Sequence, residues 1–139
     1  MKHLLKIFLA FTLFTSCNWD TYGPVKIVSN YWLMSIDSWE HAHIFYAEDP
    51  AHRSTSNMLV PFSVKKIFLN ETHLVVIQMP HIAFENDTTK TYHLIEIDNH
   101  KSHVKFHLKS ELDSSLQNMN MINILQNEFK LFTTSPKRH

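Results

Sequence analysis

Apolar and polar residues alternate with a period of two along much of the chain, and this pattern predicts β-strands. The clearest pair of predicted strands is formed by the apolar-rich segments Val64–Leu69 and His73–Gln78, which are separated by a short polar turn that begins at Asn70. Within the second of these strands, Leu74–Ile77 is apolar at every position, which is typical of a strand covered on both faces. These segments predict an antiparallel hairpin at the centre of the fold.

A second predicted hairpin joins Tyr92–Ile97 to His103–Leu108 across a polar turn. In its second arm Val104, Phe106 and Leu108 share one face, so the opposite face of this arm should contact solvent. β-Branched and aromatic residues predict three earlier strands, at Val25–Val28, Tyr31–Ile36 and Glu40–Glu48, the last with His41, His43 and Phe45 on one face.

Helical spacing is clear only near the C-terminus. Ser110 is predicted as the N-cap of a helix that ends at about Asn118, with Leu112, Leu116 and Met119 on its apolar face.

The segment Met121–Phe132 fits either a helix or a final strand, and we favour a strand from about Phe129. Together the pattern predicts an α+β or mainly β fold. Its core would be one antiparallel sheet of about six strands built from hairpins, with one short helix near the C-terminus.

The first residues form a different kind of segment. Lysines at positions 2 and 6 precede or interrupt the apolar run Leu4–Phe14, and small residues then lead to Cys17. This layout predicts a secretory signal peptide over Met1–Ser16, and the run is too short for the about 20 residues that span a bilayer. Leu13–Cys17 resembles a bacterial lipobox, which implies lipidation of Cys17. The alternatives are an ordinary signal peptide with a chance cysteine and a buried N-terminal helix.

Cysteine and charge counts fit export. Cys17 is the only cysteine, so the exported chain can form no internal disulfide. The leader contains two of the 13 Lys and Arg residues and none of the 13 Asp and Glu residues, so the remainder is close to neutral. This balance argues against a nucleic-acid partner. We expect a leader at 1–16, a lipidated cysteine with a short tether at 17–24, and a single β-rich domain at 25–139, held at a membrane of the cell envelope.

Several enzyme classes are excluded by composition. A single glycine cannot form a phosphate-binding loop, a dinucleotide fingerprint or a nucleophile elbow, so we expect no cofactor and no enzymatic activity of these kinds. Turns must instead use Asn and Asp. Glu96 and Asp98 are a candidate pair for acid–base hydrolysis, although carboxylates at the end of a hairpin more often cap a turn.

The chain has 11 histidines, and their spacing raises the question of a metal site. His41 and His43 share one strand face, and His103 and His107 share another. A zinc or copper site needs three or four converging ligands. Histidines on a solvent-facing strand account for the pattern equally well, so we expect no bound metal.

Aromatic residues are concentrated early in the chain. We expect most of them to lie in the core, and several exposed together would mark a binding face. They are Tyr31, Trp32, Trp39, Phe45 and Tyr46.

Several strand and turn residues carry a resemblance to a known family. They are Asn30-Tyr31-Trp32, Val64–Ile67, Asn70 before Leu74–Ile77, and Tyr92–Asp98 before an acidic helix. Over about residues 25–130 the chain resembles an uncharacterised family of small bacterial lipoproteins with a domain of unknown function. The resemblance implies a lipid anchor and lends no catalytic residues.

These observations favour a non-enzymatic, lipid-anchored envelope protein whose sheet edges or loops engage a protein or a glycan. One alternative is an inhibitor or immunity-type lipoprotein that acts through the loops Asp49–Asn57 or His81–Lys90. Another is a periplasmic metal carrier that uses the four histidines named above.

Overall fold

The computed structural model describes residues 22–35, 41–51, 57–61, 63–79 and 90–130. Within these ranges the chain forms eight β-strands, one α-helix and one 3-10 helix. No helix of this part of the chain is both long and apolar enough to cross a membrane. The strands are β1 Tyr22–Val28, β2 Tyr31–Ser35, β3 His43–Tyr46, β4 Met58–Val60, β5 Val64–Leu69, β6 His73–Gln78, β7 Thr91–Glu96 and β8 His103–Phe106; the helices are α1 Lys109–Asn118 and the 3-10 helix Ile122–Gln126.

The strands form two sheets of four, ordered β1-β2-β3-β4 and β5-β6-β7-β8, and all paired strands are antiparallel. The mainly β class with one helix near the C-terminus is confirmed, whereas the single sheet of about six strands is wrong. Alternation identifies a strand but not where a hydrogen-bonded ladder ends. β4 was missed because its three residues follow a polar stretch.

The two sheets pack against one another through one apolar core. Leu33 and Ile44 of the first sheet share this core with Leu74, Val76 and Ile95 of the second. All five are fully buried. The face of each sheet that meets this core is called the inner face below.

The outer face of the second sheet is covered by the helices. Val75 and Leu94 pack there against Leu112 and Leu116 of α1 and against Ile124 of the 3-10 helix. β6 is therefore buried on both faces, as its continuous apolar run predicted. Met119, which was expected on the buried face of the helix, lies beyond its last residue and is 44% exposed.

Asparagine forms turns that glycine often forms in other proteins. Asn120 follows α1 with φ 56°, and its N–H donates to the carbonyl of Gln117 while the N–H of Met121 donates to the carbonyl of Leu116. This pair of bonds is the Schellman ending of a helix. In the β5–β6 turn, Asn70 Oδ1 accepts from the backbone N–H groups of Thr72 and His73. Asn120 thus takes the conformation that glycine often takes, and Asn70 forms its turn through its side chain. The β1–β2 turn departs from the expectation, because Ser29 has φ 48° there.

The single glycine lies in β1, which begins three residues before the domain boundary expected at Val25. Gly23 has φ 95°, and a Cβ atom there would lie 2.7 Å from the carbonyl oxygen of Leu33. No other residue type fits this position without displacing the backbone.

The start of α1 lies two positions before the predicted one. The N-cap is Leu108 and not Ser110, and Glu111 supplies the cap because its Oε2 accepts from the Leu108 N–H at 3.2 Å. An acidic third residue can therefore begin a helix without a hydroxyl N-cap. The helix ends at Asn118 as predicted.

The segment after α1 forms a 3-10 helix and then one isolated β-bridge, between Glu128 and Phe68. The strand favoured from Phe129 is not formed at residues 129 and 130, and residues 131–139 lie outside the described part of the chain. The period of a 3-10 helix is close to that of an α-helix, and the short apolar run in this segment also resembles a strand. Sequence periodicity therefore does not separate a helix from a strand here.

Candidate functional site

A hydrogen-bonded chain of polar side chains crosses the inner face of the second sheet at its β8 end. His93 lies in β7 and is 2% exposed. Its Nδ1 lies 2.8 Å from Nε2 of His103 on β8, and its Nε2 lies 2.9 Å from Oε1 of Gln78 on β6. The strand register brings them together, because it places Val76 and Lys105 opposite His93 and so puts their second neighbours Gln78 and His103 on the same face.

The partners fix the direction of this chain. Gln78 Nε2 donates to the carbonyl of Pro61 at 3.1 Å, which leaves Gln78 Oε1 as an acceptor. The Nε2 of His93 must therefore carry the hydrogen, and its Nδ1 accepts from the Nε2–H of His103. Every bond points the same way, from His103 to Pro61. This arrangement requires the His93 imidazole to be neutral, because its Nδ1 accepts a hydrogen bond.

The electrostatic environment agrees with neutral rings. Burial, and after it the neighbouring charges of His103, Lys105 and His107, lower the pKa of His93 from 6.5 to about 4. Burial and Lys105 also lower the pKa of His103. Both rings therefore stay uncharged at neutral pH, and their bonds join β6, β7 and β8.

The strand at this end of the sheet carries cationic or titratable groups on one face. His103 and Lys105 share this face of β8, and His107 follows in the bend after the strand; the three are called here the basic row. Lys105 and His107 are exposed, and His103 is half-buried against His93. Within the described ranges neither Lys105 nor His107 forms an ion pair with a carboxylate. Within the described ranges Lys105 therefore presents a positive charge to solvent that no carboxylate pairs with.

The opposite face of β8 is apolar and partly exposed. Val104 is opposite Leu94 and is 48% exposed, while Leu108, just beyond the strand, is 59% exposed. Phe106 between them is half-buried against the core under α1. β8 thus has a charged face and an apolar face, and both reach solvent.

The backbone of β8 is open on the side away from β7. The Glu96 N–H donates to the Ser102 carbonyl, so Ser102, Val104 and Phe106 are the residues whose main-chain groups point toward β7. Those of His103 and Lys105 point the other way. Among the described residues no main-chain group bonds to them there. Two donors and two acceptors are therefore available along this edge.

The four histidines considered as metal ligands do not share one surface. His43 lies on the outer face of the first sheet beside Met34 and Phe45, whereas His103 lies on the inner face of the second sheet. His41 precedes β3, and His107 follows β8. Within the described residues no group of three or more His, Cys, Asp or Glu side chains is placed to hold a metal ion.

The two candidate carboxylates lie beside a buried tyrosine. Glu96 ends β7 and Asp98 follows in the turn. The hydroxyl of Tyr31 donates toward the main-chain carbonyls of Glu96 and Ile97, at 3.0 and 3.3 Å. Burial, followed by the charges of Tyr46, Asp98 and Glu96, raises the pKa of Tyr31 to about 12. These contacts tie the β7–β8 turn to the first sheet, which is a structural role.

The early aromatic residues are mostly core, as expected. Tyr31 and Phe45 are buried and Trp32 is half-buried, with its Nε1 donating to the carbonyl of Ala47 at 2.9 Å. Tyr46 stacks on His100 with ring centroids 4.3 Å apart. The described members of the group therefore do not form an exposed aromatic face.

Some predicted sites lie outside the described residues. They are Cys17 with the whole leader, Trp39, residues 52–56 of the loop Asp49–Asn57, and residues 81–89 of the loop His81–Lys90.

Sequence reasoning missed His93 and Gln78 because each looks like an isolated polar residue in its strand. The register that joins them to His103 involves three strands and is visible only in the fold. The alternating run from His103 to His107 was noted, and its place at an open edge follows from the strand order.

No protein-family model matches this chain, and neither a curated protein nor a solved structure matches it. The geometry of the site is therefore the basis for the proposals that follow.

Proposed function

We propose that this chain is an exported, lipid-anchored envelope protein that acts as a non-enzymatic interaction module, with the open edge of β8 as its binding site. A partner would add an extended segment as a fifth strand of the second sheet. The observation that carries this proposal is the outward direction of the His103 and Lys105 main-chain groups, which bond to nothing in the described chain. Main-chain pairing of this kind supplies affinity in many peptide-binding domains.

The surroundings of the edge support binding more than catalysis. His93 donates a hydrogen bond to Gln78 and accepts one from His103, so both of its ring nitrogens are already bonded. These bonds hold β8 to its sheet and keep the edge in a fixed shape. A preformed edge lowers the ordering cost when a partner binds.

The anchor rests on the leader and on Cys17. Acyl chains on this cysteine would hold the domain at a membrane surface. Labelling with a fatty-acid analogue tests this part. The wild-type chain should take up label and Cys17→Ala should not, and a wild-type chain as unlabelled as the variant would end the claim.

The binding edge is tested with two substitutions at one residue. Lys105→Pro removes the outward N–H without touching the bonds to β7, and proline is tolerated at such edge positions. Lys105→Ala removes the same charge but keeps the N–H. A partner captured from detergent-solubilised envelope should be lost with Lys105→Pro and retained with Lys105→Ala.

Equal capture by both variants, or equal loss, would contradict strand addition at this edge. Circular dichroism and thermal unfolding of both variants check that the fold is intact. Amide exchange at Val104 and Phe106 checks that the β7–β8 ladder remains.

A further inference from the structure

We infer that the segment captured by β8 is an extended strand in which acidic and apolar residues alternate, its acidic side chains facing the basic row and its apolar side chains facing Val104 and Leu108. This inference rests on the function proposed above. It names the chemistry of the partner at the same edge.

The first step is the register that strand addition imposes. Residues of an added strand that lie opposite His103 and Lys105 share the face of those side chains, because directly opposed residues point the same way. Lys105 and His107 are exposed and unpaired with carboxylates of the described chain. Acidic side chains on the partner at these positions would complement the row.

The second step concerns the other face. Partner residues between the acidic ones would lie opposite Val104 and its neighbours on the α1 side of the sheet. Val104 and Leu108 are 48% and 59% exposed, and Phe106 between them is half-buried. Apolar side chains on the partner would remove this surface from water, which is favourable in proportion to the area buried.

The third step weighs against a second copy of this chain as the occupant. Two β8 strands paired antiparallel would place both Lys105 side chains on the same face of the extended sheet. Like charges directly opposed across strands are destabilising. The edge therefore disfavours self-association and selects a partner of opposite charge.

The test uses the full-length chain and three short synthetic peptides in which valine alternates with glutamate, threonine or lysine. Affinity is measured at neutral pH and low salt, together with hydrogen exchange of the His103 and Lys105 amides. The glutamate peptide should bind about fivefold more tightly than the threonine peptide, and the lysine peptide should bind most weakly. The difference should shrink as salt is added.

A charge reversal gives the matched control. Lys105→Glu keeps the outward N–H, so it should still bind a strand while reversing the order of the glutamate and lysine peptides. Both amides should become protected from exchange in the wild-type complex.

The outcomes separate the two proposals. Equal binding of the glutamate and threonine peptides would overturn the acidic partner while leaving strand addition in place. Binding of the glutamate peptide without protection of the two amides would overturn strand addition, and with it both proposals. Failure of all three peptides to bind would overturn the proposed binding edge itself.

Discussion

The two edges of the second sheet are formed by similar strands, but they differ in whether their outward main-chain groups are hydrogen-bonded. At the β5 edge the outward main-chain groups of Ile67 and Leu69 are occupied, because the Phe129 N–H donates to the Ile67 carbonyl at 2.8 Å and the Leu69 N–H donates to the Asn127 carbonyl at 3.2 Å. At the β8 edge the equivalent groups of His103 and Lys105 have no such partner in the described chain.

The difference illustrates two ways in which a protein prevents unwanted pairing at an exposed sheet edge. An exposed row of main-chain donors and acceptors is a template for pairing with another chain, and proteins usually cover it or charge it. This fold covers one edge with the segment after α1 and charges the other. Charging still admits a partner of opposite charge, which is why we place the proposed binding site at the β8 edge and not at the β5 edge.

Loss of the cover should have the largest effect on stability. Ile124 is 2% exposed and anchors the 3-10 helix against the second sheet, next to the residues that cover β5. Ile124→Ala removes buried apolar volume and should lower the free energy of unfolding by about 3 kcal/mol. Denaturant unfolding measures this loss, and amide exchange at Leu69 and Phe129 should accelerate as the cover loosens.

The matched control lies two residues away in the same helix. Ile122 is 48% exposed, so Ile122→Ala should change the free energy of unfolding by less than about 0.5 kcal/mol. A similar loss in both variants would mean that the 3-10 helix is destabilised generally, and that Ile124 is not its anchor.

Acid should weaken the β8 side next most strongly. The pKa of His93 is 6.5 in an unfolded chain and about 4 in the fold. Below pH 6.5 the unfolded state binds a proton that the native state does not, so stability is full above this pH and falls as the pH drops toward 4. The total loss from this group is about 3 kcal/mol at most, and it is measured as the slope of unfolding free energy against pH.

Carboxylates also titrate at the lower end of this range, so the control is a variant. His93→Gln keeps a donor and an acceptor but cannot take up a proton. Its slope between pH 6.5 and 5 should be clearly shallower than that of the wild type. Equal slopes would show that His93 is not the source of the acid sensitivity.

A smaller effect is expected where the β7–β8 turn meets the first sheet. Tyr31→Phe removes the hydroxyl that donates to the carbonyls of Glu96 and Ile97 and leaves the ring in the core. The loss should be about 1 kcal/mol in denaturant unfolding. The Leu69 and Phe129 amides at the β5 edge should keep their wild-type rank among the exchange rates of the chain. A selective acceleration of these two amides would contradict a local role for the Tyr31 hydroxyl.

Much of the fold was predictable because strand and turn signals are local. The ranges Val64–Leu69 and His73–Gln78 match β5 and β6 in full, and the end of α1 at Asn118 was also predicted. The division into two sheets was not predictable. It depends on which apolar faces meet, and Leu33 and Leu74 carry the same local signal although they belong to different sheets.

The candidate site was predictable only in part. The alternation of His103, Lys105 and His107 is present in the sequence, and a solvent-facing side was expected from it. The bond between His103 and His93 spans ten residues of sequence. The covered β5 edge depends on Asn127 and Phe129, which carry no strand pattern. Such long-range pairings leave no periodic signal.

The smallest effect should come from the ion pair at the closed edge. Lys66 Nζ lies 3.5 Å from Glu128 Oε2, and their side chains are 53% and 43% exposed, so water screens the attraction. Glu128→Ala should therefore change the free energy of unfolding by less than about 0.5 kcal/mol. The bonds of Leu69 and Phe129 use main-chain atoms on either side of Glu128, and their amides should stay protected from exchange. If Glu128→Ala instead exposed both amides, the β5 edge would be closed by charge, and it would no longer differ in kind from the β8 edge.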